Sequence, residues 1–105
     1  MALGNSNPPV KGQEFWTQIV LLDYLTGDIL TNPTIAAGDF KCWVDSVPFG
    51  NLDTLPDVEP DGEKPVRLSL STAETDGHSI LVIWSDQTSP KQWRDGWFTL
   101  QTTAV

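Results

Sequence analysis

Turn-forming residues cut this chain so often that no stretch between them can hold a substantial helix. Eight glycines and eight prolines are spread through 105 residues, and the runs they leave are short, β-branched and aromatic. In Val66–Leu70 (VRLSL), Val66, Leu68 and Leu70 face one way and Arg67 and Ser69 the other. In Asp39–Asp45, Phe40, Cys42 and Val44 alternate with Lys41, Trp43 and Asp45. EFWTQIVLLD places Phe15, Thr17, Ile19 and Leu21 on one side and Trp16, Gln18, Val20 and Leu22 on the other. Both of its sides are largely apolar, as in a strand covered on both faces. SILVIWSD is a continuous apolar strand, and GWFTLQTT sets Phe98, Leu100 and Thr102 against Trp97, Thr99 and Gln101. A period of two, with no helical period beside it, predicts an all-β chain of six to seven short strands in an antiparallel sandwich.

The connections fit that plan. Gly27 in YLTGD can take positive φ in a turn, and Ile29–Thr31 begins a short return strand that Asn32-Pro33 stops. Pro48 confines the short strand in SVPFGNL to an edge. Asp53–Pro65 holds three prolines, five acids and a glycine, a composition that predicts a loop. Ser71 and Glu74 have capping-box spacing, which predicts one short helical turn ended by Gly77. Residues 1–13 show no period of either kind and are expected to form an extended N-terminal arm ahead of a single domain over 14–105.

A chain of this length buries roughly 65% of its unfolded surface, enough for one core without staples. Its single cysteine, Cys42, lies on an apolar alternation and is expected to be a small buried hydrophobe, which suits a reducing folding compartment. MALGNSNPPVKGQ has neither a basic n-region nor an apolar h-region, and no run reaches the ~18 apolar residues of a membrane span. The formal net charge is −8, and the six bases are scattered. Phosphate backbones and anionic membranes both call for the opposite sign, so neither nucleic acid nor a membrane is an expected partner.

Catalytic and metal motifs fail on their details. In DVEPDGE, Asp57, Glu59, Asp61 and Gly62 match the start of an EF-hand loop, but its twelfth position is Leu68 and Pro60 intrudes. A solvated acidic loop is expected instead. His78 is the only histidine, and with Cys42 it makes no zinc set. No Gly-x-Ser-x-Gly supports a serine triad, and isolated turn glycines give phosphate no cradle. No enzyme, cofactor or metal is expected. The tryptophans remain. Trp16 and Trp84 are assigned to the core. Trp43 and Trp97 oppose apolar faces, Trp93 stands in a polar loop beside Arg94, and Trp and Arg are enriched at binding hot spots. Either the N-terminal arm or a long loop folds over the sheet and covers these rings, or Trp43, Trp93, Arg94 and Trp97, with Pro8 and Pro9 of the arm, are partner-binding residues.

The order strand, Ser-x-x-Glu turn, apolar strand, loop, last strand over Val66–Thr103 resembles the end of an immunoglobulin-like (Ig-like) sandwich without its disulfide. More narrowly, NPTIAAGDFKCWVD, LDTLPDVEPDGEKPVRLSLSTAE and WFTLQTTA resemble small Ig-like β-sandwich structural proteins of tailed bacteriophages, over Thr31 to Ala104. The chain departs from that pattern at Asp45-Ser46-Val47, where an Asp-Gly-Gly turn is usual, and at Trp93, Arg94 and Gly96, where an acidic pair is usual. The resemblance implies a non-enzymatic virion component assembled in the bacterial host cytoplasm: a capsid decoration, or a tail, neck or fibre protein. Its partners would be other virion subunits, with homo-oligomerisation on the particle. The alternative is a lectin-like module that stacks sugar rings on Trp43, Trp93 or Trp97.

Overall fold

The structure, a computed structural model, describes residues 9–103. Seven strands run in the order β1 (Phe15–Ile19), β2 (Phe40–Val44), β3 (Val47–Asn51), β4 (Asp57–Val58), β5 (Val66–Leu70), β6 (Ser79–Trp84) and β7 (Gly96–Gln101). They form two antiparallel sheets, β1-β5-β4 and β3-β2-β6-β7. The chain is all-β, with no helix among the described residues.

The period-two pattern does what it predicts. Val66, Leu68 and Leu70 of one sheet and Phe40, Cys42, Ile80 and Val82 of the other are buried in a single core. Trp84 is half-buried against that core, stacked on Phe40 at 5.6 Å and edge-on to Phe98 at 5.7 Å. Its indole lies where a Cβ on Gly96 would stand, so the glycine that opens β7 leaves room for the ring. The β2–β3 hairpin turns on Asp45 (φ 51°) and Ser46 (φ 67°), between the paired residues Val44 and Val47. Two consecutive positive φ angles define a type I′ turn, which needs no glycine when Asp stands first. β3 is an edge strand carrying Pro48, as expected.

The Ser71–Gly77 segment is a hydrogen-bonded turn that does not extend into a helix. Both capping-box bonds form: Ser71 N–H donates to Glu74 Oε1 at 2.7 Å, and Glu74 N–H donates to Ser71 Oγ at 3.3 Å. Two helix-type backbone bonds follow, from Thr75 N–H to Ser71 O at 3.1 Å and, tighter in span, from Asp76 N–H to Ala73 O at 3.3 Å. Glu74 is fully buried, and its Oε2 also accepts the Asp53 amide at 2.9 Å. Fixing the carboxylate against the core and a second loop ends the spiral before it can propagate. Gly77 does not cap it, since its φ is not positive. A Cβ there would stand 2.5 Å from Val44 Cγ1 and 2.8 Å from Asp45 Oδ2, so close approach explains that glycine.

Two further expectations are corrected. Within the presumed loop Asp53–Pro65, Asp57 and Val58 pair with Arg67 and Val66 as β4. The buried Val58 supplies the one apolar contact that a two-residue edge strand needs. Trp16 lies on the outer face of its sheet instead of in the core. It is paired with Ser69, while Phe15, Thr17 and Ile19 pair with the inward Leu70, Leu68 and Val66. The Arg67 guanidinium covers it, 4.4 Å from the ring centre.

Candidate docking face

Residues paired directly across antiparallel strands project to the same side of a sheet. In the four-stranded sheet, Cys42, Val82 and Phe98 form an inward row. The rows on either side of it therefore point outward: Lys41, Ile83 and Trp97 in one, Trp43, Leu81 and Thr99 in the other. Trp97 is 67% exposed and Ile83 37%. Trp43 and Leu81 are half-buried beside them. Two depressions flank the Trp43 ring. One, of about 280 Å³, is lined by Ser46, Ser79, Leu81 and Thr99, and a smaller one by Lys41, Ile83 and Gln87 among others. Lys41 is the only charged side chain in these two rows, in a protein whose net charge is −8.

The structure brings two of the sequence-designated residues together here, Trp43 and Trp97. It adds Leu81 and Ile83, which a continuous apolar strand conceals, because SILVIW gives no polar alternation to tell its inner side from its outer.

Trp93 is a correction. It is fully buried, with its ring 5.9 Å from that of Phe40 and its indole N–H donating to Thr34 O at 3.1 Å. The physical reason is a local pairing. Trp93 bridges Asp23, flanked by bonds from Tyr24 N to Gln92 O and from Arg94 N to Leu22 O. This short extended stretch sends Gln92 and Arg94 outward and Trp93 inward. The buried Asp86 holds the loop in place by accepting the amides of Thr88 and Gln92 at 2.9 and 2.7 Å. Arg94 is exposed, but its guanidinium is engaged with the carbonyls of Tyr24 and Leu25 at 3.3 and 3.5 Å and holds the 23–28 turn.

Residues 9–12 of the expected arm bond to the domain. Pro9 is buried against its own chain. Its carbonyl accepts Thr103 N–H at 2.8 Å, Lys11 N–H donates to Thr103 O at 2.9 Å, and Gly12 N–H donates to Thr75 O at 3.0 Å. Pro8 lies outside the described residues.

The other candidate chemistry stays dispersed. His78 is exposed, and its backbone amide donates to Asp45 Oδ1 at 2.9 Å, as does that of Ser79 at 3.0 Å. Those two donors, Ser79 first, hold the Asp45 carboxyl below the usual carboxylate range. Burial, reinforced by the Glu74 carboxylate, pushes the Cys42 thiol up to about 12. Asp57 and Asp61 line a cleft of about 320 Å³ with Asn32 and Pro33. Among the described residues no three His, Cys, Asp or Glu side chains gather into a metal-binding group.

Comparisons with family models, curated proteins and solved structures return no match for this chain.

Proposed function

We propose that the chain is a non-enzymatic structural module of a tailed-phage virion that attaches to neighbouring virion subunits through the outer face of β3-β2-β6-β7. One observation carries the proposal: the contiguous rows Ile83–Trp97 and Trp43–Leu81, apolar, open and nearly free of charge on an otherwise acidic protein. Apolar surface of this kind on a small domain marks a contact site. A whole tryptophan side chain covers ~150–250 Å², of which Trp97 still offers about two thirds, worth about 3–4 kcal/mol at ~25 cal/mol per Å² before the costs of association. A few such anchors, repeated by symmetry, hold a small subunit on a particle.

The Ig-like part of the proposal is supported by strand order. β1-β5-β4 facing β3-β2-β6-β7 corresponds to strands B-E-D and C′-C-F-G of that architecture. The parallel bridge of Val10 to Thr103 sits where a leading strand would join the last one. The virion part rests on the resemblance of the sequence. The lectin-like alternative draws on the same open Trp97, which a sugar ring could stack upon.

Co-expressing Trp43→Ala and Trp97→Ala chains with the remaining structural proteins and measuring incorporation into particles tests the proposal. Loss of incorporation by either folded variant is the expected result. Full incorporation by both would overturn the docking face. Glycan binding by the wild-type chain that is lost in Trp97→Ala would favour the lectin-like alternative.

A further inference from the structure

An aspartate followed by glycine is among the least durable steps in a polypeptide, because the glycine nitrogen, with no Cβ beside it, has open access to the aspartate side chain. Three such steps occur here: Asp61-Gly62, Asp76-Gly77 and Asp95-Gly96. Reaction requires the peptide plane between the two residues to rotate until the glycine nitrogen stands against the aspartate Cγ. Local packing therefore decides which step reacts in the folded chain.

The fold immobilises two of the three. Gly96 opens β7 opposite Trp84, whose indole fills the space where a Cβ would stand, and Asp95 Oδ1 accepts from Lys91 Nζ at 3.1 Å. Gly77 is buried against Val44 and Asp45, and its carbonyl accepts the Thr102 hydroxyl. Neither peptide plane turns without displacing packed side chains. Asp61 and Gly62 differ from both. They are exposed at the centre of the Pro60–Glu63 turn, where Gly62 takes a φ of 77°. Nothing lies within 4 Å of where a Gly62 Cβ would stand, and among the described residues no backbone carbonyl accepts its N–H. The bond that closes the turn, from Glu63 N–H to Pro60 O at 3.1 Å, joins two exposed residues.

We propose that Asp61 is a modification site, at which the folded protein converts spontaneously to isoaspartate. The Gly62 nitrogen bonds to Cγ of the protonated Asp61 carboxyl, the amide proton and the carboxyl hydroxyl leave together as water, and a succinimide ring closes. Water then reopens the ring. Addition at Cγ breaks the new bond to nitrogen and restores aspartate. Addition at the former backbone carbonyl breaks the original bond to nitrogen and leaves isoaspartate. The water lost is regained, so the mass is unchanged and no co-reactant is consumed. The product carries the main chain through Cβ, which lengthens the Pro60–Glu63 turn by a single carbon and brings the carboxylate closer to the backbone. Bonds from Glu59 N–H to Pro65 O at 3.0 Å and from Asn32 N–H to Glu63 O at 2.8 Å bracket the turn and confine the change to it. It falls beside the cleft that Asp61 lines with Asp57 and Val58. The proposal does not rest on the docking face described above.

Storing the full chain for weeks in mildly acidic buffer, folded or in urea, tests the site, with proteolysis and mass spectrometry that resolves isoaspartyl from aspartyl peptides as the readout. In the folded chain Asp61 is expected to convert at least about tenfold faster than Asp76 and Asp95, and in urea the three rates are expected to agree within about threefold. Asp61→Glu, whose longer side chain closes such a ring far less readily, is expected to lower the total isoaspartate formed by the folded chain at least about fivefold. A folded chain in which Asp76 or Asp95 converts as fast as Asp61 would overturn the proposal. So would an Asp61 that converts more than about tenfold more slowly folded than in urea, since the turn would then be protecting it.

Discussion

The indole N–H of Trp93 donates to the carbonyl oxygen of Thr34, tying the loop before the last strand to the segment that leads into Phe40. Truncating Trp93 removes both that bond and the largest fully buried side chain. Trp93→Ala is expected to lose about 3–5 kcal/mol of stability in urea unfolding. Trp93→Phe, which keeps most of the ring but not the donor, is expected to lose about half as much.

Glu74 joins two loops to the core. Its two oxygens accept the amides of Ser71 and Asp53, and Cys42 Sγ lies 3.9 Å from Oε2. Glu74→Ala leaves two donors without an acceptor and is expected to cost about 2–4 kcal/mol. Glu74→Gln retains one acceptor oxygen and should fall between the variant and the wild type. Denaturant midpoints for the three chains measure the order.

Cys42 is 1% exposed, with its thiol pushed up to about 12 by burial and then by Glu74. The thiolate is the reactive form, so at pH 8 the native chain is expected to resist a thiol reagent that labels it fully in denaturant. Rapid native labelling at this sole cysteine would contradict the packing described.

Asp45 titrates below the usual carboxylate range because its oxygen accepts the Ser79 and His78 amides. A depressed folded pKa means that the unfolded chain takes up a proton first. The stabilisation is therefore fully present above the ordinary value of 3.8 and is lost as pH falls through the lower folded value. Thermal midpoints of wild type and Asp45→Ala should differ most near neutrality and converge in strong acid.

Trp97 contributes surface, not core. With two thirds of its side chain in water, Trp97→Ala should shift stability by no more than about 0.5 kcal/mol. Acrylamide should quench a smaller share of the variant's remaining tryptophan fluorescence than of the wild type's. A large loss of stability would show that the side chain packs within the monomer.

Much of the fold was legible because one physical signal, period-two burial, governs most of it. Val66–Leu70 and Phe40–Val44 alternate cleanly, and their inward residues are the core. The signal weakened where both faces are apolar. Phe15–Ile19 did not reveal that Trp16 points away from the core, under Arg67, since aromatic character does not distinguish the sides. It was misread at Trp93, where polar neighbours suggested an exposed loop. Gln92-Trp93-Arg94 is itself polar-apolar-polar, the alternation of a single paired residue, and its partner segment 22–24 lies seventy positions earlier. Ser71 and Glu74 kept their predicted bonds without a helix, because local spacing specifies a capping box but not what the glutamate reaches beyond it. Half of the docking face followed from Trp43 and Trp97. Leu81 and Ile83 required the register.

The bond from Thr103 N to Pro9 O also imposes an order in time. As the polypeptide leaves the ribosome, Gly12 finds its partner once Thr75 has emerged, but Pro9 and Lys11 lack theirs until residue 103 has done so. That corner of the domain therefore closes only after all seven strands have been made, and until then Val10 and its neighbours remain available to whatever else is near.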